Sequence, residues 1–287
     1  MTTLVTRLRH TSVFSHFWAY LFLSIAGLFV LLPVLIALMQ SFSTTTEIAR
    51  WPPQIIPANP TLAAYQTVFT QQDVKLVLWM RNSLFAAAAY VTAVMLICTP
   101  AAYAFARLKF PGNNILFGLL LFTIMIPSQV TLIPNFLLMR DLKFIDTFNA
   151  LIWPGAANVF AVFLLRQFFM QIPYELEEAA ILDGASYFGR FRHVILPLST
   201  NALTALAIFV FLGHYNDLFW PFIVTNSIEM RTLPVGLTIL NSAYAVTSRP
   251  LILAGAMFAT VPILIVYIIF QQRIIKGVTV TSGMGGR

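Results

Sequence analysis

The sequence predicts an all-α integral membrane protein with six transmembrane helices and a helix–turn–helix loop outside the bilayer. Three observations predict it. The chain of 287 residues is 59% hydrophobic and only 9% charged, with a mean hydropathy of +0.83, far from the proportions of a globular domain. Six apolar stretches, at 17–39, 82–106, 115–139, 149–170, 200–225 and 251–270, can each cross a hydrocarbon core, which takes about 20 helical residues. Between the fourth and fifth of them lies one long polar segment, 171–199, whose residue pattern is that of a folded element.

Residues 1–16 form a basic N-terminal segment carrying Arg7 and Arg9. The apolar stretch after it is too long for a signal peptide and lacks a small-x-small cleavage site, so it is expected to be a retained span. The following loop, 40–81, holds Pro52, Pro53, Pro57 and Pro60, too many for a strand or a long helix. Within it, Asn59-Pro60 predicts the cap and first residue of a short helix bearing Leu62, Tyr65, Val68 and Phe69 at helical spacing.

Several spans are interrupted by Pro100, Pro127, Pro134, Pro154-Gly155, Gly213, Pro221 and Pro262. Any one such residue is unremarkable in a membrane helix. Backbone groups freed at membrane depth must nevertheless face protein or a water-filled cavity, and polar residues accompany the breaks. Gln129, Asn135, Asn158, His214, Asn216 and Asp217 are therefore the candidate translocation pathway. Asp217 fits equally an interfacial anchor beside Trp220. Arg166 lies close enough to a span end to snorkel and is expected to be structural. Cys98, the lone cysteine, is expected only to fill apolar space.

With six spans both termini lie on one side. The segments on that side hold ten cations: Arg7, Arg9, Arg107, Lys109, Arg166, Arg190, Arg192, Arg273, Lys276 and Arg287. The other side holds seven, so the positive-inside rule places the termini and the polar segment in the cytoplasm. A single transmembrane domain would then cover 17–272, with a cytoplasmic tail at 273–287 that is basic, then Gly-rich, and too short to fold alone.

In the polar segment, Pro173 suits a first helical position, and Glu175, Glu177 and Glu178 follow where the helix dipole favours negative charge. Leu176, Ala179 and Ala180 share one face. Asp183-Gly184 can close the helix through a left-handed cap, and Ser186 can cap a second helix carrying Tyr187, Phe188 and Phe191 until Pro197 ends it. Read from residues alone, this is a helix–turn–helix, or a pair of amphipathic helices resting on the membrane surface.

The same residues carry a resemblance. Glu178-Ala179-Ala180, Gly184 and Val194-Ile195-Leu196-Pro197 resemble the EAA loop of permeases in binding-protein-dependent ABC importers, with Val194 as the one departure from its pattern. The wider context, Ile172-Pro173, Asp183-Gly184-Ala185-Ser186, Asn216-Asp217-Leu218-Phe219-Trp220-Pro221 and Arg231-Thr232-Leu233-Pro234-Val235-Gly236, is similar to the maltose-type (MalG-like) carbohydrate permeases. The resemblance implies one of two permease subunits of an ATP-driven importer in the cell membrane. It implies as partners a second homologous permease, two cytoplasmic ATPase subunits and an extracytoplasmic solute-binding protein, with membrane lipid around them. The loop would couple to an ATPase through Glu178, Ala179, Ala180, Asp183, Gly184, Tyr187, Phe188 and Pro197, and the tail could reach the same subunits.

No G-x-x-x-x-G-K-[ST] phosphate loop is present, so no ATP or other cofactor is expected on this chain and ATP would be bound by partner subunits. The histidines His10, His16, His193 and His214 have no metal-ligand spacing, and dispersed cations without a reading motif argue against nucleic acid. A lone secondary transporter or channel would need internal repeats or an intramembrane ion cluster, and an intramembrane enzyme would need paired catalytic groups where only Asp217 and His214 are candidates. Within the family, sugars, polyols and glycerol phosphate are all open; the lack of clustered Lys or Arg in the spans leans toward a neutral solute.

Overall fold

In the computed structural model the backbone is described for residues 5–52, 54–244 and 247–281, and within these the side chains of 17–271. The side chains of the predicted terminal segments, 1–16 and 273–287, lie outside the described residues, including those cations of the charge count. The chain divides into two units, residues 1–74 with 240–258, and residues 75–239 with 259–287.

The first unit opens with α1 (Val5–Ser41), whose side chains from Phe17 to Met39 are almost all exposed, as a lipid-facing helix requires. Thr44 then caps α2 (Thr45–Ile48) in a capping box with Glu47. Glu47 is buried and accepts the backbone N–H of Asn59 at 2.9 Å and its Nδ2 at 3.1 Å. Asn59 is thus not the cap of the next helix: a buried carboxylate is the stronger acceptor for its donors. The helix α3 (Ala63–Thr70) begins after Leu62 instead, with Thr61 Oγ1 accepting from the Ala63 amide. Tyr65 and Val68 are where the spacing puts them, Tyr65 hydrogen-bonded to Ser41 and Val68 buried.

The second unit is built around α4 (Leu76–Arg107). Its buried face alternates small residues, Ala86, Ala87, Ala93, Cys98 and Ala102, which lets neighbouring backbones approach closely. Around it run α5 (Asn113–Phe122), a 3₁₀ turn Thr123–Met125, α6 (Ser128–Asp141), α7 (Phe148–Ile152) and α8 (Val159–Gln171). They are followed by α9 (Glu175–Leu182), α10 (Tyr187–Arg190), a π turn Phe191–Ile195, α11 (Leu196–Leu198), α12 (Thr200–Tyr215) and α13 (Phe219–Val224). The helices α14 (Leu233–Tyr244) and α15 (Arg249–Thr281) complete the chain. One core joins α4, α8 and α12 through Cys98, Ala102, Leu165, Phe169 and Leu206; another joins α4, α6, α7 and α13 through Ala86, Met139, Leu151 and Val224.

The described residues form an all-helical protein with several apolar helices of membrane-spanning character. Three are long enough to cross a bilayer unbroken: Phe17–Ser41, Leu76–Arg107 and Arg249–Gln271. The predicted stretch 115–139 instead bends by 97° between Met125 and Ser128. The cause is Pro127, which drives Ile126 into the extended region (φ −80°, ψ 115°) and ends the helix there. The stretch 149–170 is α7, an unwound turn and α8; the stretch 200–225 is α12, a break at Asn216–Leu218 and α13. Sequence hydropathy does not register such breaks, because apolar residues continue through them.

Candidate functional site

The breaks in α7–α8, α12–α13 and α5–α6 meet around one cavity of about 910 Å³. Gln129, Asn135, Asn158, His214 and Asp217 line it, together with Tyr90, Phe219 and Trp220. Asn216, grouped with them in the sequence, is not among the lining residues; it donates Nδ2 to the Leu212 carbonyl one turn back.

The cavity wall is made stiff by hydrogen bonds to the unwound carbonyls. Gly155 takes φ +82° where α7 ends, a conformation open to a residue without Cβ. Tyr90 donates its hydroxyl to the Gly155 carbonyl at 2.9 Å. His214 donates Nε2–H to Leu151 O at 3.0 Å and stacks on Tyr90 with ring centroids 4.4 Å apart. Trp220 donates Nε1–H to Ala150 O at 2.8 Å. The Cys98 thiol points at the carbonyls of Ala156 and Asn158, 3.5 and 3.4 Å away. Cys98 is thus more than filler: it is a weak donor placed where a broken helix leaves acceptors unpaired. Asn158 caps α8 through Oδ1, which accepts the Ala161 amide, and Asp217 Oδ1 accepts the Phe219 amide at the start of α13. Among the described residues no Lys or Arg lines the cavity, and Asp217 is its one carboxylate.

The second feature is the segment after α8. Tyr174 precedes α9, Gly184 at φ +81° reverses the chain, and Ser186 caps α10 by accepting the Gly189 amide. The chain stays helical beyond the expected end at Pro197. Pro197 has no amide to offer the His193 carbonyl, and the turn ahead of it widens to the π form. Helix α12 then leaves at 76° from this segment. Glu178, Ala179, Asp183, Gly184, Tyr187, Phe188 and Pro197 are all exposed and Ala180 is partly so. Leu182 is 89% exposed, Tyr187 65% and Phe188 66%, an apolar surface at the tip of the turn that no described residue covers.

Glu177 is the residue that sequence reasoning missed. Its side chain is wholly buried, with Oε1 2.9 Å from Arg107 Nε at the end of α4 and Oε2 3.8 Å from Arg190 Nη1 in α10. Tyr103 donates its hydroxyl to Oε2 at 3.3 Å. Arg107 also donates Nη2 to the Phe169 carbonyl at 2.6 Å and to that of Ile172, at the end of α8. The helix–turn–helix is therefore bound to α4 and α8 through one buried charge cluster. The sequence signal was weak: Glu177 is turned about 100° around the helix from Glu178, and Arg107 closes a long apolar helix.

Broken apolar helices around a polar cavity, with an exposed helix–turn–helix tied to the span ends, define a membrane transport protein. Residues 99–280 match the family described as binding-protein-dependent transport system inner membrane component. The chain belongs to that family and is a permease subunit of an ABC transport system. It is 35% identical over 255 residues to the arabinooligosaccharides transport system permease protein AraQ of Halalkalibacterium halodurans, covering 88% of this chain and 91% of the relative. It is 30% identical over 276 residues to the sn-glycerol-3-phosphate transport system permease protein UgpE of Brucella abortus, covering 93% and 97%. Among solved structures, a chain of a bacterial ABC transporter involved in the import of the acidic polysaccharide alginate superposes with a TM-score of 0.78 at 24% identity, covering 92% of this chain and 97% of that one. That last likeness bears on the fold.

Proposed function

We infer that this permease carries a neutral carbohydrate, of oligosaccharide or smaller size, through the cavity among its broken helices. The lining carries the inference. Amides, hydroxyls and the rings of Tyr90, Phe219 and Trp220 suit the mixed polar and apolar faces of a sugar, and among the described residues no cation lines the cavity to hold a phosphate. AraQ supports the carbohydrate assignment and UgpE supplies the competing one, a glycerol phosphate. The path would have six spans, namely α1, α4, α5 with α6, α7 with α8, α12 with α13, and α15, with both termini and the helix–turn–helix cytoplasmic.

In this reading Glu178, Ala179, Ala180, Asp183, Gly184, Tyr187, Phe188 and Pro197 form the surface that docks on an ATPase subunit, supported by their exposure and by the apolar tip. The chain itself binds no cofactor; ATP is bound by two partner ATPases. A second permease and an extracytoplasmic binding protein complete the assembly. The test is solute-stimulated ATP hydrolysis in vesicles holding the assembled transporter. An arabino-oligosaccharide or a related neutral sugar, with its binding protein, should stimulate, and Asn135→Ala or Asp217→Ala should reduce transport. Stimulation by sn-glycerol 3-phosphate alone would replace the carbohydrate reading.

A further inference from the structure

A second cavity, of about 630 Å³, lies at the α4–α5 turn on the side of the molecule where Tyr174 leads into α9. Its chemistry is the reverse of the first. Among the described residues, Arg107, Lys109 and Arg166 line it and no carboxylate does. Arg107 is already matched to Glu177, which leaves Lys109 and Arg166 as unneutralised charges. Lys109 is exposed and makes no hydrogen bond or ion pair with a described residue.

Arg166 is held ready. Its Nε donates to the Phe105 carbonyl at 3.1 Å, and its guanidinium carbon stands 4.0 Å from the centre of the Phe117 ring. Those two contacts fix the plane of the group and use one of its nitrogens. The terminal pair makes no hydrogen bond to a described residue, and it is the planar fork that matches two oxygens of a phosphate. Beside it the Asn113 Nδ2 donates to Leu108 O at 3.0 Å, while Asn113 Oδ1 is buried without a partner. Two cations that no lining carboxylate neutralises suit an anionic ligand. Immediately beyond Asn113 and Asn114, α5 presents Ile115, Leu116, Leu119 and Phe122 to the surroundings, each at least half exposed. A ligand with acyl chains can lie along that face; a free ion has no use for it.

We propose that this cavity binds the headgroup of an anionic glycerophospholipid, its phosphate on Arg166 and Lys109 and its acyl chains along the exposed face of α5. The snorkelling role expected of Arg166 becomes a binding role, because the guanidinium is oriented by protein and not by bulk water. Such pockets between membrane helices at a span end are a recognised form of lipid recognition. In the orientation proposed above, the site faces the cytoplasmic leaflet beside the coupling segment.

The assembled transporter would be placed in nanodiscs of phosphatidylcholine with about one-tenth phosphatidylglycerol, and the lipid retained after delipidation counted by native mass spectrometry. Wild-type protein should retain phosphatidylglycerol preferentially. Each of Arg166→Gln and Lys109→Gln should weaken retention about fivefold, the effect of about 1 kcal/mol per basic residue. Lys109→Gln changes an exposed side chain that makes no hydrogen bond or ion pair with a described residue, so an unchanged melting temperature beside a loss of retention separates binding from folding. Equal retention by wild type and both variants would overturn the site. If inorganic phosphate at millimolar concentration displaced phosphatidylglycerol completely, the lipid assignment would be overturned in favour of a soluble anion.

Discussion

The Glu177 carboxylate meets the Arg107 guanidinium at 2.9 Å with the glutamate side chain fully shielded from solvent. Taking both charges out of water is costly, and the pair stands because Tyr103, Arg190 and the α8 carbonyls fill the remaining positions. Removing one member leaves the others buried and unmatched. Glu177→Ala should lower the unfolding stability of the transporter by about 3 to 5 kcal/mol. Because the loss arises from stranded charge, Arg107→Met should cost less in the Glu177→Ala background than in wild type. Thermal unfolding of the four members of that cycle checks it; simple additivity would show that the two residues act independently.

Gly236 in α14 lies under the Trp79 ring. A Cβ built on Gly236 would stand 2.0 Å from Trp79 Cε3. The indole cannot retreat easily, since it is 2% exposed and donates Nε1–H to the Ile228 carbonyl at 2.9 Å. Gly236→Ala should therefore destabilise by about 3 kcal/mol, at the upper end of ordinary overpacking. Trp79→Leu should relieve most of that added cost. A Gly236→Ala protein with wild-type melting behaviour would mean that the two helices separate freely.

How much of this was legible in the sequence follows residue chemistry. Gly184 and Ser186 were readable because caps and reversals depend on two or three neighbouring residues. The cavity lining was largely readable because Asn158, His214 and Asp217 are costly at depth unless they line something polar. The 97° bend at Pro127 was not, since Pro alone does not say whether a membrane helix kinks or turns back. Glu177 and Glu178 are adjacent and chemically identical, and only the position of Arg107, seventy residues away in the chain, decides which is buried. Asn59 misled for the same reason: its partner Glu47 lies outside any local pattern.

Asp146, in the turn between α6 and α7, gives a pH dependence. Burial raises its carboxyl pKa, but the amide hydrogen bonds from Asn226 at 2.8 Å and Ser227 at 3.0 Å outweigh that and hold it below the ordinary aspartate value of 3.8. A carboxyl depressed on folding adds stability above its unfolded pKa, and that stability is lost as pH falls through the folded pKa. Asp146→Asn should therefore be less stable than wild type at neutral pH, with the gap closing as the pH drops below about 4. Melting temperatures of both proteins across that range provide the measurement. A gap that stayed constant into acid would assign the effect to shape and not to charge.

Gly184 is where structure and coupling can be separated. At φ +81° it closes α9, the Ala185 amide reaches back to the Ala180 carbonyl, and nothing lies within 4 Å of the position a Cβ would take. A substitution there meets no steric wall in this chain, so its direct cost is the backbone conformation alone, about 1 to 2 kcal/mol for a residue with Cβ. Asparagine, which tolerates the left-handed region, should cost less than leucine. If the segment docks on an ATPase through Glu178, Leu182, Tyr187 and Phe188, a leucine side chain at the reversal would also intrude into that contact. Gly184→Leu should then remain in the membrane with spans intact, yet copurify less ATPase or hydrolyse ATP without solute stimulation. Gly184→Asn should fall between it and wild type, and Phe188→Ala, which leaves the turn untouched, should weaken ATPase attachment as well. Wild-type attachment and stimulation in both Gly184→Leu and Phe188→Ala would remove the coupling role and leave a pair of surface helices anchored by Glu177.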